Sequence, residues 1–122
     1  MKILLVDDNE EFCETFSDIL SLEGHAVRCV FSGREALAET EAFLPELLFL
    51  DVKLPDIDGV HVLKQIASSG RKITVVMMTG YSVPDLIQEA LALGARAAFA
   101  KPLDYARVFD IVEEASDRKP GA

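Results

Sequence analysis

Five short apolar runs punctuate the chain, at residues 3–6, 26–30, 47–50, 73–77 and 97–100. Most are continuous rather than alternating apolar and polar, the pattern of strands covered on both faces of a parallel sheet. Between and after them, apolar positions recur at helical spacing. Phe12, Phe16, Ile19 and Leu20 fall at i, i+4, i+7 and i+8 and make one stripe. Ser32-Gly33-Arg34-Glu35 has the form of a capping box and opens a second helix. A third follows Gly59, with Leu63, Ile66 and Ala67 turned inward. Ser82 is expected to cap a fourth, with Pro84 in its first turn and Gly94 at its end. The last follows Asp104 and buries Tyr105, Val108, Phe109 and Val112.

A strict strand–helix alternation demands right-handed crossovers and helices on both sides of a parallel sheet. The expected fold is therefore α/β: a doubly wound, five-stranded parallel sheet of the flavodoxin-like (βα)5 type, strand order 2-1-3-4-5. One domain is expected over residues 1–117. Polar character begins at Ser116, and residues 118–122 read as a polar tail or the start of a linker.

Composition narrows the function classes. Half of the 122 residues are hydrophobic, enough for a buried core. The net charge of −9, from 21 acidic and 12 basic side chains, argues against a nucleic-acid surface, which needs clustered Lys and Arg. No apolar run approaches the roughly 18–20 residues that span a membrane, and nothing at the N-terminus reads as a signal peptide. A cytoplasmic protein is the expectation. Cys13 and Cys29 form no CxxC pair and have no metal-finger spacing, so they read as reduced, packed thiols.

In doubly wound folds functional residues collect just beyond the carboxyl ends of the strands. Asp7-Asp8-Asn9 follows the first strand, Asp51 the third, Met78-Thr79-Gly80 the fourth and Lys101-Pro102 the fifth. Three carboxylates, a hydroxyl and an ammonium thus converge on one edge. Taken singly, each has an ordinary explanation: a carboxylate after a strand is commonly a helix cap, and Lys101 and Thr79 would pass as loop residues. Together they point to chemistry. Crowded carboxylates resist ionisation until a cation joins them, and an all-oxygen set prefers a hard ion, Mg²⁺ before Zn²⁺. Lys101 supplies a fixed charge and Thr79 a hydrogen-bond donor for a phosphoryl group carried on Asp51.

The set Asp7-Asp8, Asp51 within Asp51-Val52-Lys53-Leu54-Pro55-Asp56-Ile57-Asp58-Gly59, Thr79, and Lys101-Pro102 resembles the receiver domain of two-component response regulators, the CheY-like superfamily. The resemblance spans about residues 2–117. It implies that Asp51 is phosphorylated by a phosphohistidine on a sensor histidine kinase or histidine phosphotransfer protein. It implies a Mg²⁺ site, with Mn²⁺ as a substitute, made by Asp8, Asp51, the backbone carbonyl of Lys53 and, through water, Asp7. Lys101 would bridge Asp51 and the phosphoryl group, Thr79 would move toward it, and Phe99 would turn inward behind. The Lys101–Pro102 bond is expected to be cis, and Pro55 and Gly59 to shape the loop after Asp51. Lys53 and Tyr81 occupy the positions that tune dephosphorylation. Output would pass to an effector, or to a second copy, through the face of the fourth helix, fifth strand and fifth helix. The chain could be a stand-alone messenger or the receiver of a longer regulator.

Other readings are weaker. A haloacid-dehalogenase-type phosphatase also uses an aspartyl phosphate but needs a second Asp two residues after the first, where this chain has Lys53. The protein is thus expected to be no enzyme beyond catalysing its own phosphorylation and dephosphorylation. A flavodoxin would need a Ser/Thr/Gly-rich phosphate loop where Asp7 and Asp8 stand. A phosphorylation-independent module would have no need of the whole set. His25 and His61 lie away from the strand ends.

Overall fold

In the computed structural model, which describes residues 1–80 and 84–117, side chains alternate strictly across a central sheet. The elements run β1 (Lys2–Val6), α1 (Glu10–Leu22), β2 (Ala26–Val30), α2 (Gly33–Ala42), β3 (Leu47–Asp51), α3 (Gly59–Ser68), β4 (Thr74–Thr79), α4 (Pro84–Ala92), β5 (Ala97–Ala100) and α5 (Tyr105–Asp117). All strands are parallel, in the order β2-β1-β3-β4-β5. Tyr81 and the expected Ser82 cap lie outside the described residues.

Because strand side chains alternate between faces, each strand feeds two cores. Leu4, Val6, Leu48, Leu50, Val75 and Met77 pack on one side with Ala36, Val62, Leu63, Ile66 and Ala90 of α2, α3 and α4. Ile3, Leu5, Leu47, Phe49, Val76 and Met78 pack on the other with Phe16 and Leu20 of α1 and Val108 and Val112 of α5. This two-sided burial is what the unbroken apolar runs encode. The edge strand β2 has partly exposed alternate positions, as only one neighbour covers it.

Three details differ from the expectation. Ala67 is exposed; Val62 takes the inward place beside Leu63 and Ile66. α3 starts at Gly59 itself, because Asp58 caps it by accepting from the His61 N–H at 2.8 Å. α5 continues through Asp117 rather than fraying at Ser116, whose hydroxyl contacts the Met1 sulfur at 3.7 Å. Backbone hydrogen bonding carries a helix past its last apolar residue. Half of the capping box of α2 forms: the Ser32 oxygen accepts from the Glu35 N–H at 3.2 Å, while the Glu35 carboxylate accepts from the Ser32 hydroxyl at 3.0 Å rather than from its backbone N–H.

Candidate functional site

Strand register sets the site before any side chain is considered. Val6 of β1 lies opposite Leu50 of β3, so Asp7 and Asp51 emerge side by side. Asp51 in turn faces Met78, and Thr79 faces Ala100, which places Lys101 next to the Thr79 carbonyl; its N–H donates there at 2.8 Å. Asp7, Asp51 and Thr79 are all buried. Asp8 is exposed at the rim of a cleft of about 490 Å³, also lined by Asp7, Asp51, Lys53, Pro55, Gly80 and Lys101.

The ammonium of Lys101 donates to Oδ2 of Asp7 and, at 3.3 Å, to Oδ2 of Asp51. One cation therefore ties the ends of three strands together. It lies 4.5 Å from the centre of the Phe12 ring, whose electron-rich face adds a cation–π attraction. Burial of its stem works against the charge, yet the hydrogen bonds and Coulomb attraction from Asp7 and Asp51 outweigh that and raise its pKa. Asp51 shifts upward too. Desolvation is the main cause and repulsion from Asp7 adds to it; the Lys53 N–H, donating to Oδ1 at 3.1 Å, and Lys101 only partly offset them. At Asp51 burial and repulsion thus exceed the stabilisation that its donors supply.

That deficit bears on the metal. One carboxylate oxygen from each of Asp7, Asp8 and Asp51 lies within 4.8 Å of the others. Opposite oxygens around an octahedral Mg²⁺ are about 4.2 Å apart, so the cluster has the size, and the hard all-oxygen donor set, of one such ion. Among the described residues no His or Cys contributes to this cluster. Asp8 does not cap α1, and the Asp7 Oδ1 accepts only from the Asn9 N–H, at 3.0 Å, in the turn before it. Asn9 caps α1 instead, its side chain accepting from the Phe12 N–H at 3.0 Å.

Two backbone features hold Asp51. The Val52 N–H donates to the Met78 carbonyl at 2.9 Å, and the Gly59 N–H to the Val52 carbonyl at 2.7 Å. α3 thereby begins directly against Asp51. A Cβ on residue 59 would sit 2.0 Å from the Asp51 carbonyl oxygen, so only glycine fits. The Lys101–Pro102 peptide is cis. Lys53 is exposed at the cleft. Phe99 is half-buried on β5 against the α1/α5 core, with the Arg107 guanidinium 5.4 Å from its ring centre. His25 lies at the opposite end, against the Met1 amine, and His61 against Gln65 on α3.

Three contributors escaped the sequence reading. Asn9 had a signal, since Asn is a preferred cap, but the neighbouring aspartates masked it. Phe12 was read only as core. Asp56 has no local signal at all. Its carboxylate accepts from the Gly33 N–H at 2.8 Å and the Arg34 N–H at 3.0 Å, clamping the loop after Asp51 to the N-terminus of α2. The slight desolvation this entails raises its pKa, but the backbone donors more than offset it and the carboxyl sits below the ordinary range.

Comparison with known proteins agrees with this geometry. A family profile described as the response regulator receiver domain matches residues 3–113. Over 113 residues the chain is 35% identical to sporulation initiation phosphotransferase F of Bacillus subtilis, covering 93% of this chain and 91% of that protein. It is 34% identical to the transcriptional regulatory protein ZraR of Salmonella typhimurium, again over 93% of this chain but only 26% of the relative. Among solved structures, a CheY-like receiver domain protein from Methanospirillum hungatei superposes with a TM-score of 0.89 at 29% identity, covering 95% of this chain and 93% of that one. The receiver domain of NtrX from Brucella abortus gives 0.86 at 32% identity, covering 96% and 99%. No described helix is long and apolar enough to cross a membrane. With its 2-1-3-4-5 sheet and its acidic cluster beside a lysine, the chain belongs to the response regulator receiver domain family, the phosphoacceptor switches of two-component signalling.

Proposed function

We propose that Asp51 accepts a phosphoryl group from a phosphohistidine on a sensor histidine kinase or histidine phosphotransfer protein in the cytoplasm, and that the domain is otherwise no enzyme. The observation that carries this reading is the Lys101 ammonium donating to both Asp7 and Asp51 beside a cation-sized cluster of oxygens. Asp51 is the nucleophile by its place at the carboxyl end of β3, on the floor of the cleft, where its Oδ1 accepts from the Lys53 N–H and its Oδ2 lies 3.3 Å from the Lys101 ammonium. Lys101 neutralises charge on the incoming group, and the Thr79 hydroxyl, at the end of β4, is the donor that moves toward it. Asp8, Asp51 and the Lys53 carbonyl would hold Mg²⁺ or Mn²⁺, with Asp7 acting through water. The ion would neutralise the carboxylates and the phosphoryl oxygens.

The phosphoryl group adds roughly −1.5 to −2 charges, and contacts made only in that state shift an inactive/active equilibrium. Phe99 is the readout. To turn inward it must leave Arg107, which frees a cation on the α4-β5-α5 face for an effector or a second copy. The exposed Lys53, together with Tyr81, sets how long the phosphoryl group survives by crowding attacking water. The test is incubation with acetyl phosphate and Mg²⁺ followed by intact mass. A one-phosphoryl adduct on the parent but not on Asp51→Asn supports the reading, with slower-decaying adduct in the parent than in Lys53→Asn. Equal adduct on both proteins would sink it.

A further inference from the structure

Away from the cleft, the two cysteines of the chain meet between α1 and β2. The Cys29 thiol donates to the Cys13 carbonyl at 3.7 Å. Cys13 is buried, and its single proton has two acceptors in reach: the Asp7 carbonyl oxygen at 3.5 Å and the Cys29 sulfur. Cys29 is half-buried and opens, with Cys13, into a surface cleft of about 380 Å³. Three carboxylates line it, those of Glu10, Glu14 and Asp18, and no basic side chain does.

From this arrangement we infer that Cys13 and Cys29 form a dithiol site that a small, uncharged peroxide converts to an intramolecular disulfide, and that closure disturbs the loop carrying Asp7. Cys29 is the entry point because it alone reaches solvent. The hydrogen bond from Cys13 lowers the pKa of its thiol and a second bond from Ser17 adds to the pull, against burial and repulsion from Asp18. Its sulfur attacks one peroxide oxygen, the O–O bond breaks, and the departing hydroxide leaves as water with the thiol proton. The Cys13 sulfur then attacks the resulting sulfenic acid. The S–O bond breaks as S–S forms, and a second water carries off the Cys13 proton. The two sulfurs lose two electrons and the peroxide gains them. Anionic disulfides are repelled by the three carboxylates, which selects peroxide over glutathione disulfide.

The link to function is one proton. A disulfide cannot donate, so the Asp7 carbonyl loses its bond from Cys13 while α1 is tied to β2. This consequence rests on the phosphoacceptor reading; the disulfide does not. The reduced protein is treated with hydrogen peroxide, blocked with an alkylating agent and mapped by non-reducing peptide mass spectrometry. A single Cys13–Cys29 cross-link in monomeric protein, reversed by dithiothreitol and formed at least about tenfold faster than with glutathione disulfide, is expected. Unreacted thiols, a linkage between molecules, or Cys29 oxidised further with Cys13 still open to alkylation would each overturn the site. Separately, acetyl phosphate should label the oxidised parent about fivefold more slowly than the reduced one, the equivalent of one lost hydrogen bond. Cys29→Ser, checked for folding by circular dichroism, should label at the same rate with or without peroxide. Equal rates for the oxidised and reduced parent would overturn the coupling, whereas a reduced parent that never labels would refute the phosphoacceptor reading and leave the cross-link standing.

Discussion

Adding one methyl group at residue 59 tests how tightly α3 is seated against Asp51. In Gly59→Ala the new Cβ would meet the Asp51 carbonyl oxygen at 2.0 Å, the Asp51 carbonyl carbon at 2.9 Å and the Val52 Cα at 3.0 Å, whereas real Cβ contacts essentially never fall below 3.0 Å. All three obstacles are backbone, so no rotamer change relieves them. The chain must part by about an ångström, which breaks the 2.7 Å bond from the residue-59 N–H to the Val52 carbonyl. Overpacking costs about 1–3 kcal/mol and the lost bond about 1 kcal/mol, so roughly 3 kcal/mol in all. Unfolding entropy of ~2.1 cal/mol/K per residue gives about 0.26 kcal/mol/K for 122 residues, and hence a Tm lowered by about 12 °C. Differential scanning calorimetry measures it. Gly70→Ala is the control: its φ of +77° is strained for alanine, but a Cβ there touches nothing within 4 Å, and the expected loss is about 1–2 kcal/mol. If Gly59→Ala melts no lower than Gly70→Ala, the steric account is wrong.

Three further outcomes follow from the site's electrostatics. Lys101→Met keeps the stem and removes the charge, and acetyl phosphate labelling should slow on the order of a hundredfold; a rate within threefold would mean that Lys101 does not reach the reacting group. Asp51 has its folded-state pKa raised, so between the ordinary carboxylate value near 3.9 and that higher value the native state holds the extra proton. Stability then falls as pH rises through this window, and urea melts in EDTA should show a fall that Asp51→Asn lacks, with Mg²⁺ stabilising the parent more than the variant. Asp56→Ala should lower Tm and speed hydrogen exchange at the Gly33 and Arg34 amides, because both lose their acceptor; unchanged exchange would mean that the clamp does not form in solution.

The fold was legible because five apolar runs and five helical stripes admit few arrangements once crossovers must be right-handed. The placement of the candidate site was legible for a related reason. Asp7, Asp51, Thr79 and Lys101 all sit at or within a residue of a strand end, and register alone carries them to one edge. Contacts between side chains distant in sequence were not legible. Asp56 reaches α2 across 23 residues and Lys101 reaches Phe12 between different elements, and periodicity assigns a residue to a face without naming its partner. Ala67 illustrates the same blindness on a smaller scale: its i+4 spacing from Leu63 put it on the inward stripe, yet at the last residue but one of α3 it is exposed.

The details that escaped the sequence share a role. Asn9 frees Asp7 and Asp8 from capping, Phe12 steadies the one ammonium, and Asp56 ties down the loop that follows Asp51. Each supports a cluster that electrostatics would otherwise scatter, since at Asp51 burial and repulsion from Asp7 outweigh the attraction of Lys101. A site built this way is poised rather than relaxed. On the proposed reading, the buried carboxylate that resists ionising is the one best placed to gain from a dication, and a phosphoryl group arriving beside Lys101 would meet a cation already held between two strands. Local instability at Asp51 and rigid support around it are therefore one device, and weakening any of the three supports should slow labelling before it unfolds the domain.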